Sequence, residues 1–173
     1  MVVINLWGAP GTGKSTLAAE LFSAMKKRRL NVELVTEFAK DMTWENNMTA
    51  IGCQEYIFGN QSWRLERLRD KVDFIITDSP LPLSILYNND KRINKNDFSN
   101  VVMDVFNSFK NVNYVMTRKY VYIENGRNQT EKESDDIQKN MMQLLIDKNI
   151  NFKLLMNNSP EGVLFDLEQQ NYI

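Results

Sequence analysis

The chain has 173 residues, 43% hydrophobic and 25% charged, with 21 cationic and 22 anionic side chains and a net charge of −1. That is enough chain for one ordinary globular core, and no global charge draws it to nucleic acid or an anionic membrane. It holds no histidine and a single cysteine, Cys53, which excludes histidine acid–base catalysis, Ser–His–Asp triads, the usual zinc sites and an internal disulfide. A lone thiol fits a reducing compartment. The N-terminus shows no basic leader before a long apolar stretch, and no run approaches the ~20 apolar residues of a membrane span. The expectation is a single cytoplasmic domain, residues 1–173, with no membrane partner.

In chain order, "VVINLW" (2–7) is short, apolar and rich in β-branched residues, and reads as a strand buried on both faces. "KSTLAAELFSAMKKRR" (14–29) has helical spacing, with Leu17, Leu21, Ala24 and Met25 on one face. Its basic end complements the helix dipole. "VELVT" (32–36) is a second strand. The segment 54–71 is a helix carrying Tyr56, Ile57, Trp63, Leu65 and Leu68, interrupted at Gly59. "VDFIIT" (72–77) is the third strand, and the Asn-rich stretch 88–97 reads as a surface loop. A helix over 97–110, a strand over 112–117, a helix over 134–148 and a strand over 151–156 follow. Thr130 and Glu133 make a capping-box pattern, and Ser159 with Pro160 starts the last helix. Strands alternating with helices predict an α/β fold: a parallel sheet covered on both faces. No repeat, linker or low-complexity tract interrupts it.

Directly after the first strand comes "GAPGTGKST" (8–16), which completes G-x-x-x-x-G-K-[ST]. Glycines at 8, 11 and 13 allow a tight loop whose backbone N–H groups wrap phosphates. Lys14 supplies a cation for the β/γ-phosphates, and Ser15 offers a hydroxyl to Mg²⁺. The following helix N-terminus adds partial positive charge. The nucleotide-binding set is Gly8, Gly11, Thr12, Gly13, Lys14, Ser15 and Thr16, with ATP and Mg²⁺ as the expected cofactors. Asp78, at the end of the third strand, is the second metal candidate beside Ser15. Ser79 stands where hydrolytic motor ATPases commonly place a water-activating glutamate, which favours transfer to an acceptor other than water.

On the acceptor side, Glu37 ends the second strand and can take a proton from an acceptor hydroxyl. The competing role is a helix cap or a lysine partner. Asp41 is the second choice of base. Trp44, Gln54, Gln61 and Trp63 offer a stacking face and amide hydrogen bonds to a base, although Trp63 suits the core better. Arg64, Arg67 and Arg69 read as a solvated helix face, with Arg64 within reach of an acceptor phosphate. The segment 118–136 has the character of a lid (about 118–133), in which Arg118 and Arg127 flank Gly126 and would stabilise a migrating phosphoryl group.

On the residues "GAPGTGKST", Asp78, Arg118 and Arg127, the chain resembles the small P-loop nucleoside and nucleotide kinases. It looks nearest to the ribosylnicotinamide-kinase-like group. Through "VELVTEFAKD" and "TDSPL" it is also similar to small kinase-like ATPases of tailed bacteriophages, which would place it in a host cytoplasm. The resemblance implies a three-layer P-loop NTPase fold with a five-stranded sheet in the order 2-3-1-4-5, an ATP donor and Mg²⁺. It departs from thymidylate kinases and deoxynucleoside kinases in having "DSP", with no arginine after the strand-3 acid. The expected function is a kinase for a nucleoside, nucleotide or nucleotide base. One alternative phosphorylates hydroxymethylated uracil in DNA, guided by Lys91, Arg92 and Lys95, which otherwise form a solvated loop. Another is an ATPase switch acting on a protein partner. A homodimer is compatible with all three.

Overall fold

The computed structural model describes residues 1–118 and 130–173. Five parallel strands form its frame: β1 (Val2–Trp7), β2 (Val32–Val35), β3 (Phe74–Thr77), β4 (Lys110–Val115) and β5 (Lys153–Leu154), in the order β2-β3-β1-β4-β5. β1 lies at the centre, paired with β3 from Val2↔Phe74 to Asn5↔Thr77 and with β4 from Val2↔Lys110 to Trp7↔Val115. Its side chains alternate between two cores, as a strand's period of two requires. Val2, Ile4 and Leu6 pack with Leu17, Leu21 and Met25 of α1 (Lys14–Lys27) and with Val163, Leu164 and Leu167 of α8 (Pro160–Gln169). Val3 and Trp7 face the other way. There they meet α4 (Gln54–Glu66), α6 (Lys95–Asn107) and α7 (Glu131–Asp147) through Leu65, Phe106 and Leu145. The three-layer arrangement and strand order are those expected.

Burial on both faces holds for β1 and β3 but not at the sheet edges. In β2 only Val32 and Val35 are buried, and both residues of β5 are exposed. Edge strands have one neighbour and are only partly covered, and β5, paired with β4 alone, has two residues. α4 runs without a break through Gly59, where an added Cβ would meet nothing within 4 Å. Trp63 on that helix is 65% exposed, not core. Three short helices complete the set: α2 (Phe38–Trp44), which the reading of Glu37 as a helix cap implies, α3 (Met48–Ile51) and α5 (Leu83–Tyr87). α2, α3 and α4 enclose a small third cluster of Phe38, Met42, Ala50 and Ile57. The capping box of Thr130 and Glu133 forms, and Ser159 accepts from the Gly162 N–H. Among the described residues, no helix is long and apolar enough to cross a membrane.

Leu21 is fully buried between α1 and the sheet. Leu21→Ala is expected to cost about 2–5 kcal/mol, read as a lower urea midpoint at unchanged slope.

Candidate functional site

The turn from β1 into α1 is shaped by its glycines. Gly11 and Gly13 have φ of 86° and 90°, a region other L residues rarely enter. At Gly8 the constraint is space, since a Cβ would lie 2.5 Å from Thr12 Oγ1 and 3.3 Å from the Met116 carbonyl oxygen. Thr12 is buried, and its hydroxyl donates to the Ala9 carbonyl at 3.0 Å, closing the loop on itself. The Lys14 ammonium lies along the same loop, donating to Gly8 O at 2.7 Å and Ala9 O at 3.2 Å. α1 then begins with Lys14, Ser15 and Thr16 on the wall of a cavity of about 330 Å³. No acidic residue occupies its first turn, so the positive end of the helix is left for an anion.

β3, one strand away, delivers Asp78 to the same cavity. Asp78 is 4% exposed, and its Oδ1 has no hydrogen-bond partner. A buried carboxylate oxygen left unpaired is costly, and a cation beside it removes the cost. With the Ser15 hydroxyl on the same wall, the donor set fits magnesium, which takes few protein oxygens and completes its shell with phosphate and water. Among the described residues no group of three or more His, Cys, Asp or Glu could hold an ion unaided, and none is needed here.

Glu37 follows β2 at the N-cap position of α2, yet its side chain makes no cap hydrogen bond. It is partly accessible through the cavity that Lys14 and Asp78 also line. Burial of its carboxylate, chiefly, raises its pKa above the usual carboxylate range. Lys14 and Lys40 pull it down, and Asp78 and Asp41 push it up. Asp41 is engaged elsewhere, in an ion pair with Arg64. Arg64 also stacks over the Phe38 ring at 5.0 Å and donates to the Thr36 carbonyl at 3.3 Å. It therefore belongs to the packing of α2 on α4, neither a solvated face nor part of the cavity wall.

Gln54 and Gln61 do line the cavity. The Gln61 amide also ties the strand ends to α4, accepting from the Phe38 N–H at 2.8 Å and donating to Thr36 O at 3.4 Å. Trp44 and Trp63, 62% and 65% exposed, do not reach the wall. Two residues passed over in the sequence do. Lys40 and Thr43 follow Glu37 at three-residue spacing along α2 and line the cavity with it. Following the helix implied at Glu37 along that face would have found them.

Of the two arginines expected over the phosphates, Arg118 does not line this cavity. Arg118 pairs with Glu131 at 2.6 Å and with Asp135, and it donates to Ser134 Oγ at 3.4 Å. Arg127 lies outside the described residues. Arg69 packs over Phe109 and pairs with Glu66, while Arg67 is exposed. Lys91 and Lys95 are exposed, but Arg92 is held by Asp90, whose pKa its guanidinium draws down to about 2, and lies 3.6 Å from Glu55.

A family model described as an AAA domain matches residues 3–161. The fold is similar to the solved structure of a deoxyadenosine kinase from M. mycoides with products dCMP and a flexible dCDP bound. The identity is 17% and the TM-score 0.53, over 99% of this chain and 100% of that one. At that identity the likeness speaks for the fold alone. No curated protein matches the sequence significantly.

The raised pKa of Glu37 means that the folded state holds its proton more tightly than the unfolded chain. The cost of ionising it is present above the folded pKa and vanishes below the unfolded value of about 4.3. Glu37→Gln is therefore expected to melt higher than wild type at neutral pH, with the difference gone near pH ~3. Gly8→Ala, which drives a methyl into Thr12, is expected to abolish nucleotide binding in a fluorescent-nucleotide titration.

Proposed function

The chain belongs to the AAA domain family, and from that premise we propose that it is an ATP- and Mg²⁺-dependent kinase for a free nucleoside or nucleotide. Residues 1–173 act as one kinase domain in this reading, which the narrower likeness to ribosylnicotinamide-kinase-like and phage proteins also suits. The observation that carries it is the shared cavity: the phosphate loop, the unpaired Asp78 oxygen and the Glu37 carboxylate all line it.

The loop amides and Lys14 bind the donor phosphates, and Ser15 and Asp78 hold the metal. When bound, ATP·Mg²⁺ supplies the γ-phosphoryl group and offsets the charge that moves with it. Glu37 orients the acceptor hydroxyl and takes its proton as the new oxygen–phosphorus bond forms and the bond to the ADP oxygen breaks. Its raised pKa makes it a better proton acceptor at neutral pH than an ordinary carboxylate. Lys40, beside Glu37 on α2, supplies the acceptor-side cation that the "DSP" sequence lacks. Thr43 and Gln54 give the acceptor hydrogen-bonding partners, while Ile51, Ile57, Leu83 and Tyr87 provide an apolar wall suited to a base. Ser79 stands directly after Asp78, where a motor-type ATPase commonly carries its water-activating glutamate, which counts against that reading.

A free acceptor is favoured over DNA because the cavity is compact and the basic track is incomplete. Arg92 is already paired with Asp90 and Glu55, which leaves Lys91 and Lys95.

Labelled ATP·Mg²⁺ offered to nucleosides, nucleoside monophosphates and hydroxymethylated duplex DNA is expected to label a free nucleoside or nucleotide. Lys14→Ala and Glu37→Gln should each lower turnover by about 10²-fold or more, and Lys40→Met by about tenfold to a hundredfold. Label released only as inorganic phosphate, at a rate indifferent to acceptor, would overturn the reading in favour of a nucleotide-driven switch.

A further inference from the structure

The phosphate loop is held from its outer side by a helix that does not touch the cavity. Ala9, unlike Gly8, Pro10 and Gly11, is not part of the cavity wall. Its N–H instead donates to the side-chain oxygen of Gln138 on α7 at 2.8 Å. The amide nitrogen of Gln138 reaches the Met116 carbonyl at 3.4 Å, so one side chain bridges the segments following β1 and β4. One turn earlier on the same face, the fully buried Ser134 donates its hydroxyl to the Pro10 carbonyl at 2.7 Å. Ser134 Oγ in turn accepts from Arg118, which is anchored to Glu131 and Asp135 in the first turns of α7.

Loop, strand end and helix thus form one polar network, and none of its α7 members lines the cavity. We propose that Gln138 and Ser134 are positioning residues that fix the phosphate loop in its binding shape, so that α7 sets the affinity for the nucleotide. A loop built on glycines loses conformational freedom when it closes on phosphate, and that loss weakens binding. Tying the Ala9 N–H and the Pro10 carbonyl to a rigid helix removes much of the freedom before the ligand arrives. The same network gives Arg118 a role: it braces Ser134 and the start of α7 and does not reach the cavity. The inference rests on the kinase reading only in its nucleotide-binding half.

The test is the affinity of ATP·Mg²⁺ by calorimetry, without acceptor, for wild type, Gln138→Leu and Ser134→Ala. Gln138 is partly exposed, so the leucine variant empties no core position. Its unliganded melting temperature serves as the folding control. Gln138→Leu is expected to weaken ATP binding about tenfold, with faster amide exchange over the Ala9 segment. In turnover assays the loss should appear in KM for ATP, with kcat at saturating ATP within about threefold of wild type. Ser134→Ala should act in the same direction. An affinity within twofold of wild type for Gln138→Leu, or a fall in kcat at unchanged ATP affinity, would overturn the proposal. Wild type that binds no ATP overturns this and the kinase reading together. Wild type that binds ATP but labels no acceptor sinks the kinase reading alone.

Discussion

The burial of β1 on both faces is the constraint on which everything else depends. Val2, Ile4 and Leu6 need one helical layer, and Val3 and Trp7 need the other. The strand is therefore forced to the centre of the sheet, between β3 and β4. A central parallel strand ends where its neighbours end, so the loop after β1 opens beside Asp78 after β3 and Met116 after β4. β2, on the far side of β3, brings Glu37 to the same edge. The site is a consequence of strand order: carboxylates distant in sequence meet a phosphate loop because three strands finish together.

That convergence is electrostatically expensive, and the expense is informative. Asp78 carries a buried oxygen with no partner, and Glu37 is enclosed enough for its proton affinity to rise. Structural carboxylates elsewhere in the chain are treated differently. Asp41 pairs with Arg64, Asp90 with Arg92, and Asp135 with Arg118. Among the described residues neither cavity acid forms an ion pair with an arginine, although Lys14 and Lys40 stand close enough to influence Glu37. Cost of this kind, retained at the end of a buried strand, is what a charged ligand offsets when it arrives.

The parts legible in the sequence are those governed by local rules. "GAPGTGKST" is readable because φ > 0 at Gly11 and Gly13 and the close approach at Gly8 each demand glycine. The capping box at Thr130 is readable because its partners are three residues apart. Asp78 is readable from its place after an apolar run. What was missed depends on tertiary neighbours. α2 has seven residues, too few for a helical period to stand out, so only its start at Glu37 was implied and Lys40 and Thr43 were passed over. Trp63 followed a helical stripe, but α4 buries Ile57 and Leu65 and leaves it in solvent. Arg64 and Arg118 looked available to a ligand because nothing local reveals that Asp41 and Glu131 hold them. Gln138 carries no signal at all, since its partner lies 129 residues away.

The most direct measurement is a crystal structure with a non-hydrolysable ATP analogue and Mg²⁺. The account predicts the triphosphate wrapped by residues 8–16, with the metal beside Ser15 and Asp78 and the γ-phosphorus facing Glu37 across space for an acceptor. A triphosphate that binds with its γ-phosphate turned away from Glu37, or a metal that leaves the buried Asp78 oxygen still unpaired, would contradict it.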